Sequence, residues 1–158
     1  VPRDRISPRA SFLGALLLGL LSCSEANEPE EPAAAECRGE FEPFQTGLTK
    51  LAEPQQLRIE VAAAEPAPPA VRSDNAWRLR VTDEDGAAVT GAELFATPYM
   101  PEHQHGSAEV IVSELGGGEY ELAPIELIMP GVWEVPITVT PPGGETSEAT
   151  FRFCIAER

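Results

Sequence analysis

The sequence predicts an all-β domain, an immunoglobulin-like sandwich of two sheets and about seven strands. Three observations carry this. Apolar and polar residues alternate with a period of two through the runs that follow residue 56. Gly, Pro and Asp-Gly punctuation separates those runs. No stretch has convincing helical periodicity, apart from a weak turn near residues 46–52.

The elements follow in order. Leu57, Ile59 and Val61 share one face, with Arg58 and Glu60 on the other. A Pro-rich stretch, residues 64–70, reads as a stiff connection to the next strand. There Trp77, Leu79 and Val81 alternate with Arg78, Arg80 and Thr82. Asp83-Glu84-Asp85-Gly86 supplies a tight turn. It lacks the later ligands of a known calcium loop. Further strands are expected near 91–98, 108–114, 119–125, 132–140 and 148–155. Gly116-Gly117-Gly118 and Pro141-Pro142-Gly143-Gly144 separate the later ones. Trp133, Val135, Ile137 and Val139 should face the core, and Pro136 should mark an edge or a bulge because it cannot donate to a ladder. Phe151, Phe153 and Ile155 should point inward and Cys154 outward. Tyr120, after three glycines, fits a corner tyrosine whose hydroxyl bonds backbone.

The N-terminus reads as an address. Arg3, Arg5 and Arg9 precede an apolar run from Phe12 to Leu21. That run is shorter than the roughly 20 residues a membrane span needs and has the length of a signal-peptide core. It ends in Leu20-Leu21-Ser22-Cys23, which resembles a bacterial lipobox. The resemblance implies a signal peptide over 1–22, cleavage before Cys23 and lipid on that cysteine. The competing reading is an ordinary secretory signal with a chance cysteine. Val1 fits a translated GTG start, and Ser24 after the lipid cysteine implies the outer membrane of a Gram-negative bacterium. Residues 24–36 have no large apolar side chain and read as a flexible acidic tether, which leaves 37–158 as the folded domain.

Charge and cysteines narrow the class. The chain carries a net charge of −15. Removing residues 1–22, with Arg3, Arg5, Arg9 and Asp4, leaves −17. Such a surface repels nucleic acid and anionic lipid and draws cations. The expected partners are the membrane, through the lipid alone, and an envelope protein. With Cys23 lipidated, Cys37 and Cys154 remain, and an oxidising compartment should pair them. The competing assignment is two free thiols joining a metal site.

The chain has two His and two Met, and three of these four lie in Met100-Pro101-Glu102-His103-Gln104-His105-Gly106. Met129 opens a second Met-Pro turn, Met129-Pro130-Gly131. Imidazole and thioether are the donors soft metals prefer, copper above all. In an extended segment His103 and His105 would point the same way. With Met100 and Met129 they make a candidate Cu(I) set, and with Glu102 a candidate Cu(II) or Zn(II) set. The structural alternative is that both Met-Pro turns cap the core, with sulfur against Trp77 or Trp133.

Taken together, Trp77-x-Leu-x-Val, Asp85-Gly86, Gly91-Ala92, Met100-Pro-x-His-x-His-Gly106, Gly118-x-Tyr120, Met129-Pro-Gly-x-Trp133 and Phe151-x-Phe153 resemble the YtkA-like domains, relatives of the FixH-type proteins, over roughly residues 57–155. The resemblance implies a small exported or membrane-attached β-sandwich. It also implies, through the FixH-type relatives, an association with copper delivery during oxidase assembly. Many members carry a second methionine in the Met-Pro segment where this chain has histidine. FixH-type proteins have a transmembrane anchor, which the lipid would replace here.

Nothing marks an enzyme. The chain has no Gly-x-Ser-x-Gly elbow and no Gly loop leading into a helix, and its two histidines have no evident nucleophile beside them. Two classes remain. One is a noncatalytic binding module that buffers or delivers copper. The other is a structural or interaction sandwich of the cell envelope without metal.

Overall fold

In a computed structural model the described residues are 37–157. The signal peptide over 1–22, the lipidation of Cys23 and the acidic tether to residue 36 lie outside them. The described chain is all β. Its strands are β1 (Thr49–Ala52), β2 (Leu57–Glu65), β3 (Asn75–Thr82), β4 (Glu93–Ala96), β5 (Tyr99–Met100), β6 (His105–Gly106), β7 (Val112–Gly116), β8 (Glu119–Ile125), β9 (Gly131–Thr140) and β10 (Ser147–Ile155). They form two antiparallel five-stranded sheets. One has the order β1-β2-β3-β8-β7; the other has β10-β9-β5-β6, with β4 also on β9.

The alternation places the core where the sequence puts it. Leu57, Ile59, Val61, Trp77, Leu79 and Val81 are buried from one sheet, and Trp133, Val135, Ile137, Val139, Phe151 and Phe153 from the other. Each large apolar side chain taken from water contributes about 1.5–3 kcal/mol. Trp77 meets Phe151 and Phe153 edge-on across the interface, with centroids at 6.4 and 5.6 Å.

Four expectations change. The strand expected near 108–114 is β7 at Val112–Gly116, because the chain through Val110 and Ile111 crosses between the sheets. The expected helical turn at 46–52 is a turn followed by strand β1, which is only four residues long and too short to show a period. The expected strand 91–98 is two pieces, β4 and β5, broken at Thr97-Pro98. Pro136 is neither on an edge strand nor at a bulge, because β9 pairs on both sides. Its position explains how that is tolerated. Phe95 pairs with Thr138 and Tyr99 with Glu134, so the nitrogen of Pro136 faces the break between β4 and β5, where no acceptor needs it.

Cys37 and Cys154 form the expected disulfide. It straps the N-terminal segment along the edge of β10, where the Glu42 amide donates to the Arg152 carbonyl at 2.9 Å. The strap brings Phe44 edge-on to Phe153 at 4.9 Å and beside Trp77 at 5.7 Å, closing that end of the core.

Tyr120 is a corner tyrosine. Its hydroxyl donates to the Val89 carbonyl at 2.9 Å and accepts from the Ala92 amide at 3.1 Å. Burial pushes its phenol above the ordinary value of 10.0, the Ala92 bond opposes this, and the nearby Glu114 carboxylate adds to it. Between pH 10.0 and the raised folded value the native state keeps a proton that the unfolded chain has released. The contribution of this phenol to stability is therefore complete below pH 10.0 and is lost as pH rises through the folded value. Tyr120→Phe should cost about 1–3 kcal/mol in urea unfolding at neutral pH, because the Val89 carbonyl and Ala92 amide lose their partner. It should also remove part of the stability loss seen above pH 10. An unchanged midpoint in both conditions would contradict this role.

Candidate metal centre

The Met-Pro-x-His-x-His segment folds as a tight hairpin. The His103 amide donates to the Met100 carbonyl at 3.2 Å and the Gln104 amide to the Pro101 carbonyl at 3.3 Å. Pro101 cannot donate, and its fixed φ suits the entry to such a turn. Gln104 takes a left-handed φ of 55°, which reverses the chain into β6. Below the turn Met100 pairs with His105 and Tyr99 with Gly106. Gly106 is required for this closeness, since a Cβ there would sit 2.8 Å from the Pro98 carbonyl oxygen.

His103 and His105 do come together, with ring centroids 5.9 Å apart. The cause is the turn and not the expected two-residue alternation, because residues 101–104 are not extended. Met100 and His105, directly opposite across the hairpin, project to the same side of it. That side faces the core. Met100 is fully buried, and the half-buried imidazole of His105 stands edge-on to Trp133 at 6.1 Å. His103 is exposed beside it.

Met129 lies at the same end. Its carbonyl accepts the Trp133 indole N–H at 2.9 Å, and its side chain is half-buried against the core. Gly131, two residues on, has a φ of 135° and underlies Met100, where a Cβ would collide with the thioether methyl. The second Met-Pro turn is thus the seat of the first. Sequence reading singled out the four donors but missed Gly131 as their support. It also placed Trp133 simply in the core, without its contact to His105. The signal available was the short Met-Pro-Gly-x-Trp spacing, which binds turn and indole into one unit.

Among the described residues no three His, Cys, Asp or Glu side chains are placed to hold an ion together. Glu102 therefore does not complete a site with the two imidazoles, and Cys37 and Cys154 are committed to each other. The soft donor types at this end are two imidazoles, paired on the hairpin, and two thioethers, one beneath the hairpin and one in the second Met-Pro turn.

The fold and this end of it define a small all-β sandwich domain carrying soft donors on one hairpin. A family model described as YtkA-like matches residues 52–138, which runs from the end of β1 to within β9 and includes both Met-Pro turns. The chain belongs to the YtkA-like family. No curated protein matches it.

The seat of the hairpin is testable by stability. Gly131→Ala should cost about 1–3 kcal/mol through overpacking and backbone strain, read as a shift of the denaturant midpoint. In a Met100→Ala background the same change should cost less, because the colliding methyl is gone. Equal costs in both backgrounds would show that Met100 does not rest on Gly131.

Proposed function

We propose that this chain is a lipid-anchored, noncatalytic module of the cell envelope that holds one Cu(I) ion, for buffering or delivery. The ion is cargo. His103 and His105 supply imidazole nitrogen, and Met100 and Met129 supply thioether sulfur. The observation that carries the reading is the pairing of the two imidazoles, 5.9 Å apart, on a hairpin whose core-facing side holds Met100 and rests on the Met129 turn. Two imidazoles alone make a weak site, and the thioethers are the soft donors that would raise its affinity for Cu(I) over harder ions. The contact of His105 with Trp133 holds one imidazole in place and lowers the rearrangement needed to bind. Membership of the YtkA-like family supports an envelope domain. The lipobox-like Leu20-Leu21-Ser22-Cys23 supports attachment through Cys23 and an outer-membrane location.

A second reading has its own observation. Met100 is completely buried, as expected if the Met-Pro turns only cap the core of an envelope interaction domain. Titration of the full-length chain with Cu(I), in competition with a calibrated chelator, separates the two. The copper reading expects tight one-to-one uptake that is lost in the His103→Ala, His105→Ala double variant, which keeps the β-sheet fold by circular dichroism. Uptake no greater than that double variant shows would leave the Met-Pro turns structural and the second reading standing.

A further inference from the structure

We propose a second site, away from the hairpin tip: the free edge of β4 takes up an extended cationic segment of a partner protein as an added strand, in the notch between β4 and β7. The two sides of the sandwich are closed differently. On one side Glu53 and Glu148 exchange both backbone hydrogen bonds, at 3.0 and 2.8 Å, and stitch the end of β1 to β10. On the other side the chain between β6 and β7 crosses from sheet to sheet. The Val110 amide donates to the Ala96 carbonyl at 2.9 Å, and one residue later the Ile111 carbonyl accepts from Ala123 at 3.0 Å. This segment therefore covers β4 only as far as Ala96 and then leaves it.

The consequence is an unfilled edge. The Ala96 carbonyl points away from β9, and backbone groups alternate along a strand. The N–H and C=O of Leu94 must therefore point the same way, into the notch. The notch has a volume of about 440 Å³. Its apolar walls include Phe95 and Ile111, which are 46% and 67% exposed. Its acidic groups are Glu93, Glu109 and Glu114, and among the described residues no Lys or Arg lines it. The Glu114 carboxylate accepts from the Gly91 amide at 2.9 Å, which fixes one charge in place.

Charge selects the occupant. A strand can add to a free edge through its main chain while alternate side chains meet pockets and charges. Three carboxylates favour lysine or arginine on that strand, next to apolar side chains that cover Phe95 and Ile111. A second copy of this acidic chain is repelled, and so is its own segment 24–36, which has five glutamates and no cation. Because β4 is only four residues long, the main-chain contribution is small and the association should be transient and salt-sensitive.

The test is amide NMR of the full-length chain with a heptapeptide of alternating lysine and valine. The proposal expects the largest shifts at Leu94, Phe95 and Ile111. It expects binding weakened roughly tenfold or more in the Glu93→Lys, Glu109→Lys double variant, whose exposed side chains are not part of the core. It also expects loss of binding when the central valine of the peptide is replaced by proline, which cannot donate to an edge. Binding that tolerates the proline would reduce the effect to nonspecific charge and overturn strand addition. Shifts centred elsewhere, or no binding, would overturn the site itself.

Discussion

The indole of Trp133 is held at its edge and contacted on its periphery, and the hairpin end of the molecule depends on it. Its N–H donates to the Met129 carbonyl, which ties the second Met-Pro turn to β9. Its ring meets His105 edge-on, and two residues before it Gly131 supports the Met100 methyl. A buried indole N–H left without an acceptor would cost about 1–3 kcal/mol, so this bond fixes the turn as well as the ring. The four soft donors sit on two loops separated by more than twenty residues of chain, and this one residue brings the loops into register.

The same strand explains the rest of the architecture. β9 is the longest element, and in its own sheet it pairs with β10 on one flank and with β4 and β5 on the other. Its interruption-tolerant point, Pro136, lies where β4 gives way to β5. That break lets the chain turn out at Thr97-Pro98 and project the hairpin from the end of the sheet. It also sends the following segment across to the other sheet at Val110 and Ile111, leaving Leu94 at a free edge. Hairpin and notch are therefore two results of one topological choice. The disulfide and Phe44 close the core at the N-terminal strap, and the Glu53–Glu148 stitch closes the β1–β10 side. Two places with distinctive chemistry are left beside these closures, soft donors at one and carboxylates at the other.

The fold was largely legible because period-two alternation is a strong signal in long strands. Trp77 to Val81, Trp133 to Val139 and Phe151 to Ile155 were assigned to the core from that pattern and lie there. The Cys37–Cys154 pair followed from the count of cysteines and the expectation of an oxidising compartment. Tyr120 followed from the glycines before it. Short elements were not legible: β1, β5 and β6 have too few residues to display a period. The centre shows the same division. Residue type alone picked out His103, His105, Met100 and Met129. How the two turns come to share one end was not readable, because it rests on the left-handed Gln104, the close approach at Gly106 and the packing of Met100 on Gly131. Pro136 misled because the property that marks an edge strand is equally satisfied by a gap in the neighbouring strand.

The central claim is that the hairpin is built in advance on Trp133, before any ion or partner arrives. Proton NMR of the full-length chain without added metal tests it most directly, by nuclear Overhauser contacts between the His105 imidazole and the Trp133 indole. The account predicts such contacts, together with ring-current shifts of the His105 ring protons away from free-histidine values. Free-histidine shifts with no contact to Trp133 would mean that the hairpin is not seated there, and the preorganised centre would fall with it.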